Sequence, residues 1–336
     1  MILGVIGVDH PHAGGHLQAF EAAPEIERLL IWDADPALAQ AAGERSARAE
    51  AVASVDDLLG NPFLPALGIF VRDSEAGTLN LRAIEAGQWV YGDKPGAKTA
   101  AELELIVRAA QRTGVHFCPC YANRSLADSS GITGLFREHA IGDVWSFNAT
   151  WITSTVALRG PESWLFHREH SAGGILTWLA CHWLDILRYL LWSEVCEVMA
   201  MVATQTEAEV DVEDTAALVL KFENEAIGTV RAGYSLDPFP GYLDSDLQLQ
   251  FEGSEGGITW LPRGPNSAVI VRSRKPEYAD WQSPQPTEPR AGYSGDFLHS
   301  FLRAVEGGEA PPATEVDAWR VMQIIEAAYQ SSRERG

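Results

Sequence analysis

Residues 1–15 read MILGVIGVDHPHAGG. Ile2–Val8 is an apolar, partly β-branched run, long enough for a strand and far too short to span a bilayer. It passes through a loop rich in histidine and glycine into a helical pattern over Gly14–Ala23. A strand feeding a helix in this way sets the unpaired N–H groups of the first helical turn beside the strand's carboxyl end, where they can hold a phosphate. The alternation repeats to about residue 120. Strands are predicted at Leu29–Asp33, Leu67–Val71, Trp89–Tyr91 and Val115–Cys118, with helices at Pro36–Arg45, Glu75–Ala86 and Ala100–Thr113. This order predicts a parallel sheet covered by helices, and Pro36 suits a first helical turn.

Beyond residue 120 the pattern changes to a long helix followed by strand-like runs: EVMAMVATQ (197–205), TAALVLKFE (215–223), AIGTVRAGYS (226–235) and LQLQFEGS (247–254). Strands with few helices between them predict an open, mainly antiparallel sheet. Helices at Asp296–Glu306 and Glu315–Arg333, separated by a GGEAPPA turn, close the chain. A length of 336 residues exceeds what one core usually supports. The expectation is therefore an α/β protein of two domains, 1–120 and 121–336.

Composition narrows the function classes. Hydrophobic residues at 46% and charged ones at 21% fit a globular enzyme. A net charge of -21 repels a nucleic-acid backbone, and the densest basic stretch, Arg272 to Lys275, runs into Pro276 and Glu277 as a solvated loop would. No nucleic-acid partner and no membrane partner are expected: no apolar run reaches about 18 residues, and the N-terminus lacks the positive flank of a signal peptide. Four cysteines make no disulfide scaffold, and Cys118-Pro-Cys120 lacks a two-residue gap, so a reduced cytoplasmic setting is expected.

Candidate cofactor residues cluster after the first strand. Gly7 fits the first glycine of G-x-G-x-x-G, while Asp9 stands at the second position and His12 at the third. A carboxylate at the second position repels a pyrophosphate unless it turns away; His10, His12 or His16 either offset that charge or merely support the loop. Asp33 ends the second strand 26 positions after Gly7, near the spacing for an acid that grips the adenosine ribose, although it equally suits a strand end or helix cap. A carboxylate there, followed by Ala34 rather than arginine, favours NAD over NADP. His10, His12 and His16 could be drawn as a zinc cluster, and His167, His170 and His182 as a metal site, but no cysteine or acid completes a recognised spacing at the latter and no metal is expected. After the strand QWVYG comes Asp93-Lys94-Pro95, a polar turn at the carboxyl edge of the sheet. A lysine there can exchange a proton with a substrate hydroxyl or be an ordinary surface residue.

With AIEAGQWVYGDKPGAKT (83–99), the chain resembles the glucose-fructose oxidoreductase, inositol dehydrogenase and MocA family, whose hallmark is a Glu-Lys-Pro turn after such a strand. The likeness continues in order through CYANRS around Tyr121–Arg124, IGDVWSFNATW from Ile141, AGGILTWLACHWLDILRYL from Ala172, VEDTAALVLKFEN from Val212, FEGSEGGITW from Phe251 and VMQIIEAAYQSS near the end. The resemblance implies an N-terminal Rossmann domain and a C-terminal α/β domain whose open sheet joins a homodimer or homotetramer. It implies catalytic roles for Lys94 and His182, cofactor contacts at Lys94 and Pro95, and substrate contacts at Tyr121, Asn123, Arg124, Trp164, His182 and Asp185. Arg124 binds a substrate oxygen or pairs with an acid. In the family motif G-G-x-L-x-D-x-G-x-H-x-x-D the first aspartate position is Trp178 and the third glycine is Ala180. Trp178 either stacks on a sugar face as a substrate contact or packs in the core. The expected function is an NAD-dependent oxidoreductase passing a hydride between the nicotinamide and a small-molecule sugar, polyol or related hydroxy compound; the alternative is a noncatalytic cofactor or ligand sensor of the same fold.

Overall fold

Parallel strands buried on both faces need near-continuous apolar sequence, and the first strands supply it. In the computed structural model, β1 (Ile2–Ile6) pairs in parallel with β2 (Arg28–Trp32) and β4 (Ala66–Ile69). Leu3, Val5, Ile6, Leu29, Ile31 and Leu67 are each almost wholly buried. The structure describes residues 1–154, 156, 159–205, 209–234, 245–262, 267–282, 295–307 and 310–334. With β3 (Ala49–Ala51), β5 (Trp89–Gly92) and β6 (Phe117–Pro119) the sheet has the order β3-β2-β1-β4-β5-β6, every pair parallel. The order reverses between β1 and β4, the switch point at which doubly wound sheets bind dinucleotides. The sequence predicts five of these strands within two residues at each end. It misses β3, whose three residues Ala-Glu-Ala carry neither β-branching nor alternation.

The helices α1 (Ala13–Ala22), α2 (Pro36–Gly43), α3 (Asp73–Glu85) and α4 (Ala100–Thr113) lie where the sequence places them. In α4, Leu103, Ile106, Val107 and Ala110 recur at i, i+3, i+4 and i+7 and form its buried stripe. The side chain of Thr99 accepts the Glu102 N–H at its start, and Gly114, at φ 77°, ends it.

The second sheet is built from β7 (Val144–Thr153), β8 (Val195–Ala203), β9 (Thr215–Phe222), β10 (Ile227–Gly233), β11 (Ser245–Gly253), β12 (Gly256–Leu261) and β13 (Ala268–Ser273). Its order is β13-β12-β11-β7-β10-β9-β8, with β10 parallel to β7 and every other pair antiparallel. Along β9, Ala216, Leu218, Leu220 and Phe222 are buried while Ala217 and Val219 are exposed, the alternation of a sheet with one covered face. The short helices α5 (Asn123–Ser129) and α6 (Ile132–Arg137) belong to this unit. So does a π-helical turn, Leu176–Ala180, that runs into α7 (Cys181–Leu191).

Two compact units result: Met1–Ala122 with the described part of Glu288–Arg320, and the described part of Asn123–Thr287 with Val321–Gly336. The first unit thus includes α8 (Gly295–Val305), a segment that the sequence reading places in the C-terminal domain. The reason is aromatic packing: the rings of Phe297 and Phe301 lie 6.3 and 5.3 Å from that of Tyr91 on β5. The division falls inside α9 (Glu315–Glu334), between Arg320 and Val321. Among the described residues, no helix is long and apolar enough to cross a membrane.

Candidate active site

In the first unit the loop between β1 and α1 is tied to its neighbours by backbone demands. Gly7 has φ 87°, and a Cβ added there would stand 2.2 Å from the Phe70 carbonyl oxygen, so only glycine fits. Its N–H donates to Trp32 O at 2.8 Å. Asp33 is buried; its Oδ2 accepts the Val8 N–H at 2.7 Å and its Oδ1 the Asp35 N–H at 2.9 Å. It therefore fixes the loop while standing at the end of β2. Asp9, at the position of the motif's second glycine, is exposed. Gly14 and Gly15, in the first turn of α1, have nothing within 4 Å of where a Cβ would stand. An open, side-chain-free first turn at the switch point, a glycine-only bend before it and a carboxylate at the tip of β2 fit a dinucleotide, even though the glycine motif is incomplete.

Lys94 follows β5 and is 1% exposed, with Nζ 3.9 Å from Asp93 Oδ1. This burial sets aside the surface-lysine alternative. The Lys94–Pro95 peptide bond is cis. Asp93 also draws in the histidines of the loop: His12 Nδ1 stands 2.7 Å, His16 Nε2 3.5 Å and His10 Nδ1 3.7 Å from its Oδ2. Burial alone would raise the Asp93 carboxyl, but His12 and His10 together with hydrogen bonds from His12 and His16 hold it well below its ordinary value. Burial pushes His10 the other way, down to about 3 against the pull of Asp93, so its imidazole is neutral. Asp93 is the residue whose part in this cluster the sequence does not disclose; it is 81 positions from His12, and the two meet because β1 and β5, with β4 between them, end at the same edge of the sheet. Tyr121 is buried in the same unit, just past β6. Burial pushes the nearby Cys120 thiol up to about 12, which leaves it protonated and unreactive.

In the second unit Trp178, His182, Asp185 and Tyr189 recur along the π turn and α7 at intervals of four, three and four, so they form one stripe. Glu213 fixes the start of this element. Its carboxylate accepts the N–H groups of Gly174 and Leu176 at 2.9 and 3.1 Å and the Tyr329 hydroxyl at 2.8 Å, and burial raises its carboxyl above the ordinary value. Trp178 is 2% exposed; its ring meets that of half-buried Trp164 edge-on at 5.8 Å, with the Arg159 guanidinium 5.9 Å from its centre. His182 stacks on Trp151 at 5.5 Å. Arg124 grips Asp185 with both arms of its fork, Nε to Oδ2 at 2.9 Å and Nη2 to Oδ1 at 2.5 Å, and lies over the Tyr189 ring at 5.0 Å. Of the two readings of Arg124, the structure favours pairing with an acid. Asn123, beside it at the start of α5, is 1% exposed. His167 Nε2 stands 3.0 Å from Pro161 O and His170 Nε2 4.0 Å from Glu169, so both serve their own loop.

Comparison with known proteins agrees with both units. Residues 2–121 match the family model described as oxidoreductase family, NAD-binding Rossmann fold, and residues 132–259 match the GFO/IDH/MocA C-terminal domain. The levoglucosan dehydrogenase of Pseudarthrobacter phenanthrenivorans is 23% identical, with 93% of this chain and 90% of that protein covered. The NADP-dependent scyllo-inositol 2-dehydrogenase IolW of Bacillus subtilis is 24% identical over 85% of this chain and 82% of that protein. A solved structure of levoglucosan dehydrogenase in complex with NADH and levoglucosan superposes with a TM-score of 0.83 at 22% identity, covering 100% of this chain and 98% of that one.

Proposed function

The chain belongs to the Gfo/Idh/MocA oxidoreductases, and from that membership we propose that it is an NAD-dependent dehydrogenase or reductase of a sugar, polyol or related hydroxy compound. The observation that carries the reading is Lys94: a buried lysine, set by the turn after β5 at the carboxyl edge of a dinucleotide-type sheet, beside an ionised carboxylate. When bound, the nicotinamide supplies or accepts the hydride. Lys94 Nζ holds the substrate oxygen, gives or takes its proton and stabilises negative charge that develops there. In the second unit His182, which stacks on Trp151, is a candidate acid–base group by family likeness. Gly7 and the first turn of α1 hold the pyrophosphate and Asp33 the adenosine ribose, and Asp33 disfavours the extra phosphate of NADP. Arg124 holds Asp185 in place and so positions the helix that carries His182.

A panel of sugars, polyols and anhydrosugars, assayed for NADH formation or consumption with the wild type and Lys94→Met, tests this. The expected result is turnover lowered about 10²–10⁴-fold in the variant with NADH affinity kept. Equal turnover by both would overturn the role of Lys94. Trp178, in place of the family's aspartate, favours a second reading as a cofactor-binding sensor; NADH binding without turnover on any compound would support it. Levoglucosan and inositols, named for the relatives, head the panel. We also assign a homodimer or homotetramer contact to the open face of the second sheet. Met199, Met201, Val219 and Ile227 are exposed on its strands, and a monomeric mass by light scattering would refute the assignment.

A further inference from the structure

Three imidazoles converge on one carboxylate oxygen in the first unit. To Asp93 Oδ2 the distances are 2.7 Å from His12, 3.5 Å from His16 and 3.7 Å from His10. His10 Nδ1 accepts the His12 N–H at 3.2 Å, so that nitrogen carries a lone pair, and Lys94 Nζ stands 3.9 Å from the other carboxylate oxygen, Oδ1.

We propose that His10 Nδ1, His12 Nδ1 and Asp93 Oδ2, with His16 Nε2 as a fourth donor, bind a single divalent cation of the zinc class. The donor atoms of His10, His12 and Asp93 all lie within 4.8 Å of one another. Metal–ligand bonds of about 2.0–2.2 Å in a tetrahedron put the donors roughly 3.3 Å apart, so closing the shell moves the most widely spaced donors together by up to about 1.5 Å. Imidazole with one carboxylate suits zinc, cobalt or nickel and not calcium or magnesium, which take oxygen ligands. The site is supported from behind: the His16 ring stacks on Phe70 at 4.5 Å and meets Tyr91 edge-on at 5.5 Å. On binding, the cation takes the lone pair that His10 now shares with the His12 amide. It cancels the charge of Asp93 and ties the loop after β1 to the turn that carries Lys94. The spacing of the histidines alone gives no expectation of metal, because the acid comes from the far side of the sheet's switch point.

Tag-free protein, stripped with a chelator and titrated with Zn²⁺ and separately with Co²⁺, tests the inference. One equivalent per chain by elemental analysis, the visible d–d bands of tetrahedral Co²⁺ and a Tm rise of about 5–10 °C at a hundredfold excess over Kd are expected. His12→Asn and Asp93→Asn should abolish all three, His16→Gln should weaken binding about 10–100-fold, and His170→Asn should change nothing. His12 is the most exposed of the ligands, so its variant serves if Asp93→Asn fails to fold. Substoichiometric uptake without spectrum or Tm shift, or uptake unchanged in His12→Asn, would overturn the site. NADH titration of the same samples keeps the two readings apart: a metal-indifferent protein that binds NADH loses this inference and keeps the proposed function.

Discussion

Replacing Arg124 by methionine leaves Asp185, 0% exposed, as a charge without its fork. Removing one partner of a buried ion pair costs about 3–5 kcal/mol, because the remaining charge has lost its solvation and gained nothing. Methionine keeps an apolar stem against the Tyr189 ring, so packing loss adds little. For a unit of this size each kcal/mol moves Tm by about 2–4 °C, which gives a fall of about 6–20 °C. Asp185→Asn should show a comparable fall, with the guanidinium now stranded. The double variant Arg124→Met with Asp185→Leu removes both charges together, and such replacements are often neutral, so it should recover to within about 1 kcal/mol of the parent. Near-ultraviolet circular dichroism reads the transition through the tryptophans around α7. The reasoning fails if Asp185→Asn melts with the parent yet loses turnover a hundredfold, for Asp185 would then serve the substrate and not Arg124.

Asp33→Asn keeps an acceptor for the Val8 N–H and removes the charge, so the preference for NADH over NADPH should narrow about tenfold in the ratio of Kd values; an unchanged ratio refutes the role of Asp33. Gly7→Ala forces a methyl group against Phe70 O in a left-handed backbone and should cost about 2–5 kcal/mol together with NADH affinity, measured by denaturation and titration. His116 is raised above its ordinary 6.5 by its hydrogen bond to Glu315, with partial burial opposing and the Glu315 charge assisting. A base with a raised folded-state pKa gives its full stabilisation below 6.5 and loses it as pH climbs through the folded value. The Tm advantage of the parent over His116→Gln should therefore shrink from mildly acidic to alkaline pH; a constant difference argues against the pair.

Much of the fold is legible because its determinants are local. Ile2–Ile6, Arg28–Trp32 and the i, i+3, i+4 stripe of α4 carry their own periodicity, and the strand-to-helix order then limits the sheet to a parallel one. β12 and β13 escape the reading because Gly256 and Gly257 dilute the pattern of the first and the second belongs to the stretch around Arg272 that reads as a solvated loop. Lys94 is visible through its turn and its family likeness. What surrounds it is not: the approach of His10, His12 and His16 to Asp93 depends on β1 and β5 ending at the same edge of the sheet. The attachment of Asp185 to Arg124 likewise joins residues 61 positions apart. Trp178 is legible as a departure from the motif, while its packing against Trp164 appears only in three dimensions.

The packing of α8 on β5 also sets a timetable for synthesis. Trp89 and Tyr91 meet Phe301 at 6.4 and 5.3 Å, and His299 stands 2.8 Å from Glu25, so the first unit is completed by residues that the ribosome makes near the end of the chain. At translation speeds of about 5–20 residues per second, the nascent first unit waits roughly 10–40 s with that aromatic face unclothed. During the interval it is a client for chaperones. A chain cut short after the second sheet would release an N-terminal sheet that has its strands in order and lacks its last cover.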